Sequence, residues 1–171
     1  SVLEKPRTTL ERLLDDYLPR GDTRLVTNDA ALAKSMEKLL PTVCEPTLQL
    51  AEVPGLQKQM EHALARKVWL NSGANLFIDP CEAMTVIDVN SAKFTGKKIL
   101  EDTILRLNLE AAAEIARQIR LRNLSGIILV DFVDMDCEPH RQQVMQMMRE
   151  ALAADRVKTV VHGFTSLGLM E

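Results

Sequence analysis

The chain of 171 residues is 46% hydrophobic and 26% charged, the balance of a soluble globular protein that builds its core without disulfides or metal. Its formal net charge of −3 at pH 7 excludes a simple electrostatic clamp on nucleic acid, but not a local basic patch around an acidic centre. Three cysteines with no CxxC pair exclude a secreted disulfide framework and fit free thiols in a reducing, cytoplasmic compartment.

Thr8 to Leu18 predicts a helix, with Leu10, Leu13, Leu14 and Tyr17 on one stripe. A break at Gly21 precedes the short strand TRLVTN. Asn28 or Thr27 then caps the helix DAALAKSMEKLL, which ends at Pro41. TLQLAE reads as a second short strand, and Pro54 opens the helix GLQKQMEHALARK. No apolar run approaches the ~18 residues of a membrane helix, and the start SVLEKPRTTLERLLDDYL lacks a signal-peptide pattern.

The texture changes after Lys67, which divides the expected domains into residues 1–67 and 68–171. VWL-NSGAN-LFID predicts a hairpin with Asn71, Ser72 and Gly73 in its turn. AMTVIDVN is the next strand, followed by the loop SAKFTGKK. Ile99 to Arg122 is a long helix with Leu100, Ile104, Leu107, Ala111, Ile115 and Ile119 on its apolar stripe. Glu101 and Asp102 begin it and Arg117, Arg120 and Arg122 end it, as the helix dipole favours. GIILVDF predicts a strand covered on both faces. Asp136 as cap and Pro139 in the first turn start a helix to about Ala154, and KTVVHGF is a last strand. The alternation of strands and helices predicts a mixed α/β fold.

Two apolar strands finish on carboxylates. Side chains alternate along a strand, so Asp88 and Asn90 share a face. If the strand carrying Asp131 lies beside theirs, Asp88, Asn90 and Asp131 meet at the sheet edge. Asp134 would face away from Asp131 if that strand continued. Two adjacent carboxylates repel and need a cation or a shared proton. Magnesium suits them, because it takes one or two carboxylates and keeps waters for a phosphate. This is the constellation of metal-assisted phosphodiester cleavage. Lys93, Lys97 and Lys98 follow Asp88 closely, and Arg120 and Arg122 precede the strand of Asp131. These cations are candidates for phosphates flanking the scissile one, with Phe94 as a candidate stacking ring.

Other chemistries are excluded or weak. The segment FTGKK lacks the spacing of a P-loop. DFVDMD has neither the glycine nor the closing glutamate of an EF-hand. His62, His140 and His162 are scattered and form no HExxH, so a zinc site is not expected. No serine sits in a G-x-S-x-G context.

The segments EAMTVIDVNSAKFTGKK, LNLEAAAEIARQIRLRNLSGIILVDFVDM and GFTSLGLME resemble the catalytic core of the ribonuclease E/G family. The similarity is strongest from Val68 to the C-terminus. It implies a partial RNase H-like subdomain over 1–67 and a DNase I-like catalytic subdomain over 68–171. It further implies a magnesium-dependent endoribonuclease, with manganese as a substitute ion, acting on single-stranded RNA in messenger decay and ribosomal RNA processing. The expected products carry a 5′-phosphate and a 3′-hydroxyl. By this resemblance Asp88 and Asp131 bind the metal and Asn90 supports them by hydrogen bonding. From their place beside these carboxylates, Lys93, Lys97, Lys98 and Arg122 are the expected RNA contacts. The family's S1 domain, 5′-end sensor and C-P-x-C zinc segment are missing from these 171 residues, and Ser166 stands where an arginine is usual. A central piece of a longer, homo-oligomeric enzyme is therefore expected. A non-catalytic RNA-binding or assembly module and a DNA-directed phosphodiesterase are the alternatives.

Overall fold

In the computed structural model, residues 8–12, 24–39, 47–50, 53–91, 101–153 and 155–171 are described. The chain divides into two compact units, Ser1–Lys58 and Gln59–Glu171. The break falls a few residues before the change of composition at Lys67.

In the first unit β1 (Arg24–Thr27) pairs in parallel with β2 (Thr47–Leu50), and α1 (Ala30–Leu39) lies between them in sequence. The cap of α1 is Asp29, one residue later than expected. Its Oδ1 accepts the Ala31 and Leu32 N–H groups at 2.8 and 3.0 Å. A carboxylate there also meets the positive end of the helix dipole. Met36 is buried within this helix.

The helix α2 (Leu56–Ala63) leads into a four-stranded sheet in the order β3 (Lys67–Trp69), β4 (Asn75–Pro80), β5 (Met84–Asn90), β6 (Ile127–Asp131). The first two pairings are antiparallel and the last is parallel, so the sheet is mixed. The hairpin turn between β3 and β4 holds Gly73 at φ 87°, a conformation that glycine adopts without steric cost. Glu110 accepts the N–H groups of Asn71 and Ser72 and ties that turn to the following helix.

The parallel step from β5 to β6 requires a crossover, which α3 (Glu101–Arg122) supplies. Its stripe of Leu107, Ala111, Ala112, Ile115, Ala116 and Ile119 packs in one core with Leu76, Ile78, Ile87, Val89 and Val130. A Schellman-type stop ends it: Asn123 has φ 51°, Leu124 N–H bonds to Ile119 C=O at 3.0 Å and Asn123 N–H to Arg120 C=O at 3.2 Å. The last helix, α4 (Glu138–Ala153), adds Val144, Met148 and Leu152 to the same core.

Two expectations change here. The apolar run of β6 is only partly covered, with Ile127 52% exposed, because β6 ends the sheet order instead of lying inside it. KTVVHGF forms no regular strand; single bridges join Met170 to Val130 and to Phe164 instead.

Candidate active site

Along β5, Thr85, Ile87 and Val89 are buried, while Met84, Val86, Asp88 and Asn90 are half-exposed on the other face. The strict alternation of MTVIDVN produces this division. Parallel pairing sets Asp88 directly against Asp131, and neighbouring strands lie about 4.8 Å apart. Paired residues share a face, so the carboxylates stand side by side. Asn90 Nδ2 donates to Asp88 Oδ2 at 2.5 Å. The three residues expected to meet are thus joined by strand register and one hydrogen bond.

The electrostatics follow. The Asp131 carboxyl is pushed above the usual carboxylate range, first by partial burial and then by the negative charges of Asp88 and Asp134. The nearness of Asp134 depends on where β6 stops. The strand ends at Asp131 and residues 132–137 run irregularly, so the alternation that would have turned Asp134 away does not apply.

That irregular segment is tied down at several points. Asn108, fully buried in α3, donates to Val133 C=O at 2.8 Å and accepts Val133 N–H at 3.1 Å. Arg141 Nε donates to Met135 C=O at 2.8 Å. Glu101 Oε1 accepts Asp136 N–H at 3.2 Å, and its Oε2 lies 3.3 Å from His140 Nδ1. Phe132 and Met135 are buried anchors. Sequence reasoning set Asp134 aside only on the condition that β6 continued, and it gave Asn108 and Glu101 no part in holding this segment. Asn108 left a trace, as one of two polar residues, with Gln118, on the largely apolar buried face of α3.

Arg122 requires a correction. It was an expected RNA contact, but its guanidinium donates to Gln118 Oε1 at 2.6 Å, to Ala65 C=O at 2.6 Å, and to the Ala63 and Leu64 carbonyls. It therefore ties the end of α3 to the open carbonyls at the end of α2. It also precedes the first residue of β6, whereas Asp131 is the last. Arg120 donates to Ala151 C=O at 3.2 Å. Lys93, Phe94, Lys97 and Lys98 lie outside the described residues.

The donor set fits a hard divalent cation with few protein ligands. Among the described residues no three His, Cys, Asp or Glu side chains are grouped to hold one ion. Asp88 and Asp131 instead offer paired carboxylate oxygens on an accessible face, the sparse ligation that magnesium tolerates. Cys81 and Cys137 are free thiols. No helix among the described residues is long and apolar enough to cross a membrane.

The family model described as "Ribonuclease E/G family" matches residues 1–171. Ribonuclease G of Escherichia coli K12 is 50% identical over 127 residues, covering 74% of this chain and 25% of that protein. Ribonuclease G of Haemophilus influenzae is 41% identical over 165 residues, or 96% of this chain and 33% of the relative. Ribonuclease E of Nostoc sp. is 46% identical over 112 residues, 66% of this chain and 16% of the relative. The chain spans a quarter to a third of the two ribonuclease G proteins.

Proposed function

Since the chain belongs to the ribonuclease E/G family, we propose that it forms the phosphodiester-cleaving core of an endoribonuclease acting on single-stranded RNA. The observation that carries this reading is the pairing of Asp88 with Asp131 across adjacent parallel strands, with Asn90 bonded to Asp88.

Asp88 and Asp131 would hold magnesium, or manganese in its place. The ion, when bound, supplies positive charge at the scissile phosphate and makes water a stronger nucleophile at neutral pH. The chain's own groups do the positioning. Asn90 binds one oxygen of Asp88, which restrains the rotation of that carboxylate. Asp131 stands on the last residue of β6, so the ordered sheet sets its distance from Asp88 before substrate arrives. Asp134 adds negative charge that draws a cation to the pair. Water attack on phosphorus with cleavage of the P–O3′ bond, the 3′-oxygen leaving and taking up a proton, gives a 5′-phosphate and a 3′-hydroxyl.

The test is cleavage of a single-stranded RNA with magnesium present. Asp88→Asn and Asp131→Asn are each expected to lower turnover by about a hundredfold or more, with an unchanged circular dichroism spectrum. Full turnover by either folded variant rejects the assignment. Binding without magnesium-dependent cutting by the unaltered chain favours a non-catalytic RNA-binding module instead. Cutting of the 2′-deoxy equivalent at the same rate favours a DNA-directed enzyme, because the 2′-hydroxyl is the group that distinguishes the two.

A further inference from the structure

The face that carries the carboxylates continues across the whole sheet. Lys67 pairs with Phe77, Phe77 with Asp88, and Asp88 with Asp131, so one ladder row crosses all the strands. The neighbouring row contains Trp69, Asn75 and Asn90. At about 4.8 Å per strand, Phe77 lies one step and Lys67 two steps, about 10 Å, from Asp88.

Exposure along this face is uneven: Asn75 is buried, and Lys67 and Phe77 are half-exposed. Trp69 is 55% exposed. Lys67 Nζ lies 3.9 Å from the centroid of the Trp69 ring and 5.4 Å from that of Phe77. Arg66 lies over Phe77 at 5.0 Å, but its charge is engaged by Asp79, whose Oδ2 it meets at 2.7 Å. Among the described residues no carboxylate pairs with Lys67. A cation without an acidic partner and two aromatic rings therefore stand beside an acidic centre that would repel a polyanion. Aromatic faces stack bases of any sequence, and a cation among them attracts the backbone phosphates. The charged residues interleaved on this face are of the kind depleted from the cores of protein interfaces.

We propose that Trp69, Phe77 and Lys67 form a stacking platform for single-stranded RNA. Bases beside the scissile phosphate stack on the rings, and a neighbouring phosphate meets Lys67. The choice of RNA rests on the ribonuclease reading above; the platform itself rests on the row and the ring contacts.

Trp69 is the sole tryptophan of the chain, so its emission reports this site alone. The experiment titrates an unlabelled single-stranded RNA decamer into the Asp88→Asn chain, which binds without cutting, and follows tryptophan emission. Anisotropy of a labelled copy of the RNA gives total binding. Saturable quenching that follows the anisotropy curve is expected. Lys67→Glu, a surface change, and Phe77→Ala, checked by circular dichroism, should each weaken binding about tenfold; Lys67→Arg should restore it. Unchanged emission at RNA concentrations that saturate anisotropy overturns the platform, as does a chain that binds no RNA. An emission shift driven by protein concentration alone overturns it too, since it marks a contact between copies. Failure of the ribonuclease reading is seen separately, as an unaltered chain that quenches with RNA and cuts nothing.

Discussion

Asp131 carries a carboxyl that folding makes harder to ionise. Its value lies above the ordinary 3.8 because partial burial and the charges of Asp88 and Asp134 all disfavour the anion. The folded state therefore binds the proton more tightly than the unfolded state does. The contribution of this group to stability is then greatest below 3.8 and is lost as pH rises through the folded value. Asp131→Asn removes the penalty, so without divalent cations it should stabilise the chain at pH 7. The side chain is exposed, and solvent screening limits the gain to a few tenths of a kcal/mol. At pH 3 the difference should vanish. Denaturant titrations with a chelator at both pH values read this out; equal stability at pH 7 would remove repulsion from the account. Asp79 shows the opposite case. The hydrogen bond from Arg66 lowers its value, and both groups lie at the surface.

Elements bring these residues together, and the longest of them does most of it. Asn108 on α3 satisfies both backbone groups of Val133. Asn108→Leu keeps a similar volume but leaves a buried N–H and C=O unpaired, at a cost of about 2–4 kcal/mol. Urea unfolding should show that loss, and RNA cleavage should fall with it as residues 132–137 lose their tether. An unchanged midpoint would show that Val133 finds other partners. The strands were largely legible beforehand: the period-two pattern of MTVIDVN implied the shared face of Asp88 and Asn90, and the stripe of α3 implied its buried side. What was illegible depends on partners distant in sequence. Arg122 reads locally as a helix-end cation, yet its acceptors are the carbonyls of Ala63, Leu64 and Ala65. The apolar text of GIILVDF cannot reveal that β6 lies at the end of the sheet order. KTVVHGF has strand composition, but within it only Phe164 forms a bridge, with Met170.

Over the whole molecule, the site and the proposed platform belong to the unit Gln59–Glu171. The net charge of −3 means that RNA affinity cannot come from a general positive field. With Lys67 as the main described phosphate contact of the platform, few counterions are released on binding. The logarithm of the binding constant should fall against the logarithm of salt concentration with a slope near −1, from about 0.7 per phosphate contact on a single strand. Anisotropy titrations between low and moderate salt measure this. A slope several times steeper would place the affinity in a cationic surface elsewhere.

The parallel pairing of β5 with β6 has a consequence for the chain under synthesis. Asp88 leaves the ribosome before α3 does, and Asp131 only after the whole of α3 has followed. Until that crossover docks, the nascent polypeptide owns two lone acids and no paired site. On the proposed reading, cleavage therefore waits until β6 has docked beside β5.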